Sequence, residues 1–248
     1  MMKRLITASL LGFVAATAFA QSGNNYRLNF SGELQSMYVW RGINIVDGSV
    51  FQPALYFEHD SGLSVMVWGN MDLTDANGLE GEITETRIGV RYMFQTAHAD
   101  MWVGYLRYTY PNTAMADTAE VVASITFKTA GNPTITAFQD VDVVEGFYIM
   151  GSFSTSLANV FAFSGQSQPL DVRLWVGFAN EAHNFFYYGS ATSGITDAGV
   201  RLSTGIPIGG NFTLTPSVTY ATLASDDLLA GAPNRQNVYI GVSIGLEF

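Results

Sequence analysis

Apolar residues occupy every second position through most of this chain, in segments separated by polar or glycine-containing stretches. Segments of about ten residues with this alternation are typical of strands that face lipid on one side and a polar lumen on the other. Twelve such strands are predicted, at 26–40, 50–58, 63–73, 82–94, 100–110, 118–128, 133–140, 145–157, 169–179, 194–208, 211–223 and 236–248. The pattern therefore predicts an all-β fold, a 12-stranded antiparallel up-and-down transmembrane β-barrel.

Charged residues inside the predicted strands fall on the face opposite the apolar residues. In the first strand Leu34 and Tyr38 are predicted to face outward and Glu33 inward. In the fifth strand Tyr108 is predicted to face outward and Arg107 inward. Because a lysine or arginine facing lipid costs about 2–4 kcal/mol at the bilayer midplane, we expect the strand charges to line the lumen. The predicted lumen residues are Glu33, Glu85, Arg87, Arg91, Arg107, Asp171, Arg173, Asp197 and Arg201.

Alternation alone does not identify a membrane barrel, because a soluble β-sandwich also buries one face of each strand. The connections, however, alternate in length as periplasmic turns and extracellular loops do. Short connections are 59–62, 95–99, 129–132 and 209–210, and long ones are 41–49, 74–81, 111–117, 180–193 and 224–235. The connection 158–168 is long for a turn, and 141–144 is short for a loop. Aromatic residues near strand ends, such as Tyr38, Trp40 and Tyr92, predict two interfacial girdles.

Two prolines conflict with the strand prediction. Pro53 and Pro216 lie within predicted strands, where proline removes a ladder hydrogen bond and is normally confined to edges, first positions or bulges. Pro53 is close to a strand end, whereas Pro216 is in the middle of its strand, where we expect a bulge.

Both ends of the chain carry export signals. Lys3 and Arg4 precede an apolar stretch at 5–14 and the small-residue motif Ala18-Phe19-Ala20, an order typical of a cleaved secretory signal. The last strand alternates up to a terminal Phe248, which resembles the assembly signal of bacterial outer-membrane barrels. We therefore predict a signal peptide at 1–20, one barrel domain at 21–248 and a location in the bacterial outer membrane. The expected partners are the barrel assembly machinery, outer-membrane lipid and lipopolysaccharide.

Composition excludes several other classes of protein. The chain has 11 Lys+Arg against 21 Asp+Glu and no cysteine. The acidic balance argues against nucleic-acid binding, which needs basic patches, and the missing cysteine excludes a disulfide framework or Cys-ligated zinc. Many acids lie in the predicted outer loops, namely Asp47, Asp75, Glu80, Asp117, Asp142, Glu145, Glu181, Asp226 and Asp227.

The segment 32–73 contains a series of short sequence motifs. Tyr38-Val39-Trp40-Arg41-Gly42 is followed by Pro53-Ala54, Ser61-Gly62 and Trp68-Gly69-Asn70. This series resembles the opening hairpins of the TorF family of porins. The resemblance implies an outer-membrane barrel with a channel function. At the predicted strand end, Gly42 permits a tight turn. Arg41 there either binds lipopolysaccharide phosphate or pairs with a loop carboxylate.

The chemistry-bearing residues do not form a catalytic motif. His59, His98 and His183 are not placed beside a serine on the predicted barrel wall and lack metal-ligand spacing. We therefore expect no catalytic residues, no metal and no cofactor. The alternative is a hydrolase that uses His183, Asp226 and Asp227 in the loops.

The predicted lumen charges allow two interpretations. The pairs Glu85–Arg87, Asp171–Arg173 and Asp197–Arg201 could neutralise a narrow interior, or the arginines could set up a field that selects solutes by charge. The aromatic run Phe185, Phe186, Tyr187 and Tyr188 in loop 180–193 either folds inward as a constriction or extends the girdle.

The pattern favours a porin-like channel for passive diffusion of small hydrophilic solutes or ions through a narrow charged lumen. The alternative is a non-conducting outer-membrane barrel whose acidic loops bind ions, lipopolysaccharide or a partner. The oligomeric state stays open.

Overall fold

The computed structural model describes residues 25–163, 165–231 and 234–248, so the predicted signal peptide lies outside the described residues. Twelve of the described strands form the barrel wall. They are β1 (Tyr26–Gln35), β4 (Val50–His59), β5 (Leu63–Asp72), β6 (Ile83–Gln95), β7 (Ala99–Thr109), β8 (Thr118–Phe127), β9 (Thr134–Asp140), β10 (Phe147–Phe163), β11 (Gln166–Ala179), β12 (Gly194–Ser203), β14 (Phe212–Leu223) and β15 (Gln236–Glu247). The shorter strands are β2 (Tyr38–Trp40), β3 (Ile43–Val46) and β13 (Ile206–Gly209).

The wall closes into a ring of antiparallel neighbours. Strand β1 pairs with both β4 and β15, and β12 pairs with β14. The predicted 12-stranded antiparallel barrel is therefore confirmed. We call the end with the long connections, such as 36–49 and 180–193, the loop end, and the end that holds Tyr26 and Glu247 the turn end.

Large apolar side chains are exposed on the outer face of the wall. Examples from five strands are Leu34, Val67, Val90, Ile149 and Ile240. They alternate with the residues that point into the lumen, because successive side chains of a strand lie on opposite faces. A wide apolar outer surface of this kind is what lipid solvates.

Strand β7 turns outward the face that was predicted to point into the lumen. Arg107 pairs directly with Ile88, which is 54% exposed on the outer face, so Arg107 also faces outward. Tyr108 is instead inside the barrel and only 3% exposed. The prediction was wrong because this strand has apolar residues on both faces, so its alternation is ambiguous. At the loop end Arg107 forms ion pairs with Asp142 at 2.5 Å and Asp117 at 3.6 Å.

The first predicted strand is also shorter than expected. The wall strand ends at Gln35, and residues 38–46 form the separate hairpin β2–β3. Its two-residue turn is Arg41-Gly42, and both residues have positive φ, 47° and 82°, as a type I′ turn requires. Tyr38 is buried rather than part of an outer girdle, so that expectation is wrong.

Each proline lies where the ladder on one side is interrupted. The oxygen of Pro216 accepts a hydrogen bond from Thr204 N at 3.3 Å, at the break between β12, which ends at Ser203, and β13. The missing N–H of Pro216 faces this break. Likewise the β4–β5 ladder passes from Phe51 to Ala54 without pairing Pro53. Because the ladder beside each proline is already interrupted, the missing proline N–H does not cost a hydrogen bond between strands.

The remaining differences lie in the connections. Strands β10 and β11 extend through most of 158–168, so the long turn predicted there is wrong. Loop 180–193 contains the helix α1 (Glu181–Tyr188), whose N-cap Asn180 accepts from His183 N and whose C-cap is Gly189 at φ 70°. A 3-10 helix covers Asp226–Gly231.

None of the helices among the described residues has the length and apolar character needed to cross a membrane.

Candidate functional site

The hairpin β2–β3 folds into the barrel at the loop end, where it meets helix α1; we call the two together the plug. A Cβ on Gly42 would lie 2.7 Å from Leu223 Cδ2 and 2.8 Å from Asp197 Cβ. The oxygen of Gly42 accepts from Asn237 Nδ2 at 3.3 Å. The turn thus touches the wall at β12, β14 and β15, and glycine is required both for its φ and for this close approach.

Arg41 anchors the tip of the hairpin to the wall. Its Nη2 donates to both carboxylate oxygens of Glu120 on β8, at 2.8 and 2.9 Å. The two side chains are only 5% and 4% exposed. Of the two roles left open for Arg41, the structure shows carboxylate pairing, although the partner is on a wall strand. Removing one partner of such a buried pair leaves an uncompensated charge, which is strongly destabilising.

Aromatic rings enclose the Arg41 guanidinium. Its Cζ lies 4.3 Å from the ring centroid of Trp40, 4.7 Å from that of Phe138 and 4.3 Å from that of Tyr148. Tyr108 from the opposite side donates to Glu120 Oε2 at 2.6 Å. Cation–π contacts within about 6 Å are attractive, and more so without water. The ion pair is therefore held in a dry, hydrogen-bonded enclosure.

His183 of α1 completes this enclosure as a neutral acceptor. Its Nε2 lies 3.1 Å from Arg41 Nη1, and its Nδ1 lies 3.3 Å from Asn184 Oδ1. Burial, and then the charge of Arg41, lower the pKa of His183 to about 3. Its ring nitrogens are thus both engaged inside the plug, whereas Asp226 lies in a half-exposed ion pair with Arg235 at 2.5 Å. The structure does not bring together the histidine and aspartates considered for a hydrolase.

The aromatic run of loop 180–193 divides into two pairs. Tyr188 is buried and its hydroxyl donates to Arg41 O at 2.7 Å, and the Tyr187 ring packs edge-on against Trp40 with centroids 4.9 Å apart. Phe185 and Phe186 are exposed, at 65% and 45%. Half of the run therefore supports the hairpin, and half faces away from it.

A second anchor joins the hairpin to β6. Tyr38 Oη donates to Glu85 Oε2 at 2.9 Å and accepts from Arg87 Nη2 at 2.6 Å. Arg87 Nε also donates to Glu85 at 2.6 Å, and the guanidinium lies 4.4 Å from the ring centroid of Trp68. The Glu85–Arg87 pair considered from the sequence is thus present and buried.

The other two pairs considered from the sequence do not form. Asp197 accepts from Tyr148 Oη and from Trp175 Nε1, both at 2.9 Å, while Arg201 pairs with Glu33 at 2.7 Å. Asp197 and Arg201 lie four residues apart on the lumen side of β12, and each is engaged by other partners. The structure joins Arg91 to Glu58 at 3.0 Å.

Arg173 also departs from its predicted pair. Its Nη2 lies 3.9 Å from Met150 Sδ. Among residues 25–163, 165–231 and 234–248 no ion pair joins it to Asp171.

Two cavities lie in the lumen below the plug. One of about 190 Å³ is lined by Tyr56, Met66, Arg91, Trp102, Leu106 and Phe138. The other, of about 420 Å³, is lined by Ser154, Ser156, Asp171, Arg173, Arg201 and Ser203. In the part of the chain that the structure describes, no group of three acidic or histidine side chains could hold a metal.

Sequence reasoning missed the residues that build the plug. Tyr38 and Trp40 were assigned to a girdle, and Glu120 and His183 had no assigned partner. One signal was available, because the predicted first strand, 26–40, exceeds the roughly 9–11 residues that cross a bilayer. The surplus contains Arg41-Gly42, and a glycine in such a pair is typical of a tight hairpin turn.

Comparison with solved structures identifies the fold. The KdgM porin is 8% identical and superposes with a TM-score of 0.51, covering 90% of this chain and 99% of that chain. The KdgM porin in complex with disordered oligogalacturonate gives 0.52 at 8% identity with the same coverage. This chain has a porin-like barrel fold. The COG4313 outer membrane channel from Pseudomonas putida F1 is 10% identical, with a TM-score of 0.48 and coverage of 92% and 97%.

No protein-family model matches the chain, and no curated protein matches it in sequence. The resemblance to the TorF family therefore stays a prediction. The two solved structures named above with TM-scores over 0.5 are both of the KdgM porin.

Proposed function

We propose that this chain is a porin-like channel of the Gram-negative outer membrane, through which small hydrophilic solutes or ions diffuse passively. The observation that carries the proposal is the closed barrel, apolar outside, whose lumen is lined by charged residues and contains cavities below the plug. The porin fold of the KdgM neighbours supports it, as does the resemblance to the TorF family. Export by a signal at 1–20 and assembly through Phe248 belong to the same proposal.

The plug makes this channel narrow. Twelve strands lie between eight, whose interior side chains fill, and sixteen or more, which leave an aqueous channel. Here the hairpin occupies part of that intermediate space, since Ile43, Asn44 and Val46 are all buried. We therefore expect low conductance and exclusion of large solutes.

Single-channel recording tests the proposal. The full barrel, purified and inserted into planar bilayers, is expected to give small discrete conductance steps. The matched variant replaces residues 36–49 with Asn-Gly, which suits a two-residue turn because Gln35 and Val50 are already paired neighbours. Silence from both proteins, each folded by circular dichroism and heat-modifiable mobility, would overturn the channel.

A second candidate is a non-conducting barrel whose acidic loops bind ions, lipopolysaccharide or a partner. The buried Arg41–Glu120 pair favours it, because so dry a contact closes part of the lumen at the loop end. This candidate predicts a silent wild-type protein and a conducting variant without the hairpin. The recording described above thus separates the two candidates.

A further inference from the structure

Three neighbouring strands at the turn end present a row of matched side chains to the lumen. Ser154 of β10 pairs with Arg173 of β11, and Arg173 pairs with Arg201 of β12. One step nearer the turns, Ser156 pairs with Asp171, which pairs with Ser203. Directly opposed residues lie on one face of a sheet, so all six share the lumen side. We call these six residues the arginine row.

The two arginines of this row differ in charge compensation. Arg201 has Glu33 at 2.7 Å, whereas Arg173 Nη2 lies 3.9 Å from Met150 Sδ, which carries no charge. Within the described ranges no carboxylate forms an ion pair with Arg173. Like charges placed directly opposite each other are destabilising, and among the described residues no ion pair of Arg173 itself offsets this repulsion.

The arginine row also faces free space. It lines the cavity of about 420 Å³ below the plug, and Arg173 is exposed to that space. A guanidinium presents a planar fork of donors that fits a carboxylate with two parallel hydrogen bonds. The serines beside it can donate to or accept from hydroxyl groups.

We propose that the arginine row is a binding subsite for small hydroxylated carboxylates on their way through the lumen. The carboxylate of the solute lies on Arg173, and its hydroxyl groups contact Ser154 and Ser156. Asp171, which lies one step nearer the turn end, repels the carboxylate of the solute and so keeps it at Arg173. This inference rests on the proposed channel for its biological meaning, but binding itself does not require conduction.

Binding is measured separately from conduction for that reason. Lactate is titrated into the purified barrel by isothermal titration calorimetry, with the neutral analogue propane-1,2-diol as the ligand control. We expect weak saturable binding of lactate and none of the diol. The same proteins in planar bilayers are expected to show lactate reducing the chloride current at matched ionic strength.

Three variants locate the subsite. Arg173→Gln is expected to weaken lactate binding about tenfold, the size of one charge-assisted contact, and Arg173→Lys to keep part of it because the charge remains. Arg107→Gln is the matched control, since it removes the same charge from the outer face of the wall. It is expected to bind lactate as the wild type does.

The outcomes separate the subsite from the channel. Loss of lactate binding in Arg173→Gln alone supports the subsite, even if no protein conducts, in which case only the channel fails. Equal binding by wild type, Arg173→Gln and Arg107→Gln overturns the subsite while leaving conduction intact. Absence of lactate binding to the wild type also overturns it. If Arg173→Gln does not fold, Arg173→Lys against Arg107→Lys decides in the same way.

Discussion

The two ends of the lumen handle arginine in different ways. At the loop end Arg41 and Arg87 are each paired with a carboxylate, packed on aromatic rings and buried. At the turn end Arg173 lies beside Arg201 and faces a cavity, and among the described residues it forms no ion pair with a carboxylate. The wall strands supply inward charges at both ends. What differs is the hairpin, which brings Arg41 and Tyr38 to the carboxylates of the loop end and excludes water there.

The same side chain therefore has different roles at different positions in the barrel wall. An arginine that a loop covers becomes part of a packed contact, because burial without a partner is too costly. Away from the hairpin, Arg91 and Arg201 pair with wall carboxylates, whereas Arg173 forms no such pair among the described residues and stays available to a solute. The loop end is therefore expected to control opening, and the turn end to control selectivity.

The strongest test of this division removes the hairpin of the plug. Replacement of residues 36–49 by Asn-Gly is expected to increase single-channel conductance several-fold, because the hairpin no longer reaches across the lumen to Glu120 on β8. The control shortens 75–80, an exposed loop on the same end, and is expected to leave conductance near the wild-type value. Equal conductance of all three proteins would contradict a plug in the conducting path.

A smaller change breaks only the anchor. Arg41→Met leaves Glu120 buried without its partner, which is expected to lower the free energy of unfolding by about 3–5 kcal/mol, less where the hairpin undocks. Guanidinium titration of the protein in lipid vesicles measures this. Arg235→Met breaks the half-exposed pair with Asp226 and is expected to cost about 0–1 kcal/mol. Similar losses for both variants would remove the distinction between a packed and a hydrated pair.

Acid is expected to loosen the plug through His183. Docked His183 has its pKa lowered to about 3 from an ordinary value of 6.5, so between these values the undocked state binds a proton that the docked state does not. Docking is therefore unaffected above about pH 6.5 and weakens as pH falls, by about 2 kcal/mol at pH 5. Conductance should rise from pH 7 to pH 5 in the wild type. His183→Gln, which does not titrate, should remove that rise.

The smallest expected effect concerns the two faces of the wall. Arg87→Gln leaves Glu85 uncompensated in the lumen and is expected to shift the reversal potential in a salt gradient toward cation selectivity. Arg107→Gln removes the same charge from the outer face and is expected to leave the reversal potential unchanged. A shift in the second variant as large as in the first would place Arg107 in the conducting path after all.

Sequence reasoning predicted the wall closely, but of the plug it anticipated only the turn at Gly42 and, as open alternatives, carboxylate pairing of Arg41 and inward folding of loop 180–193. The strand predicted at 82–94 is observed at Ile83–Gln95, and that predicted at 211–223 at Phe212–Leu223, because a strand solvated by lipid on one side must alternate. The outward face of β7 was predicted incorrectly since both its faces carry aromatic residues. There only the pairing of Arg107 with Ile88 on the next strand settles the orientation.

The alternation in the amino-acid sequence is enough to place the twelve wall strands, their order and most of their outward faces, because lipid solvation acts on each strand independently of its partners. Only the tertiary structure decided which charges meet. The Arg41–Glu120 and Arg201–Glu33 contacts join residues 79 and 168 positions apart. Such contacts depend on how a closed ring and one inserted hairpin bring distant segments together, and no local periodicity encodes that distance.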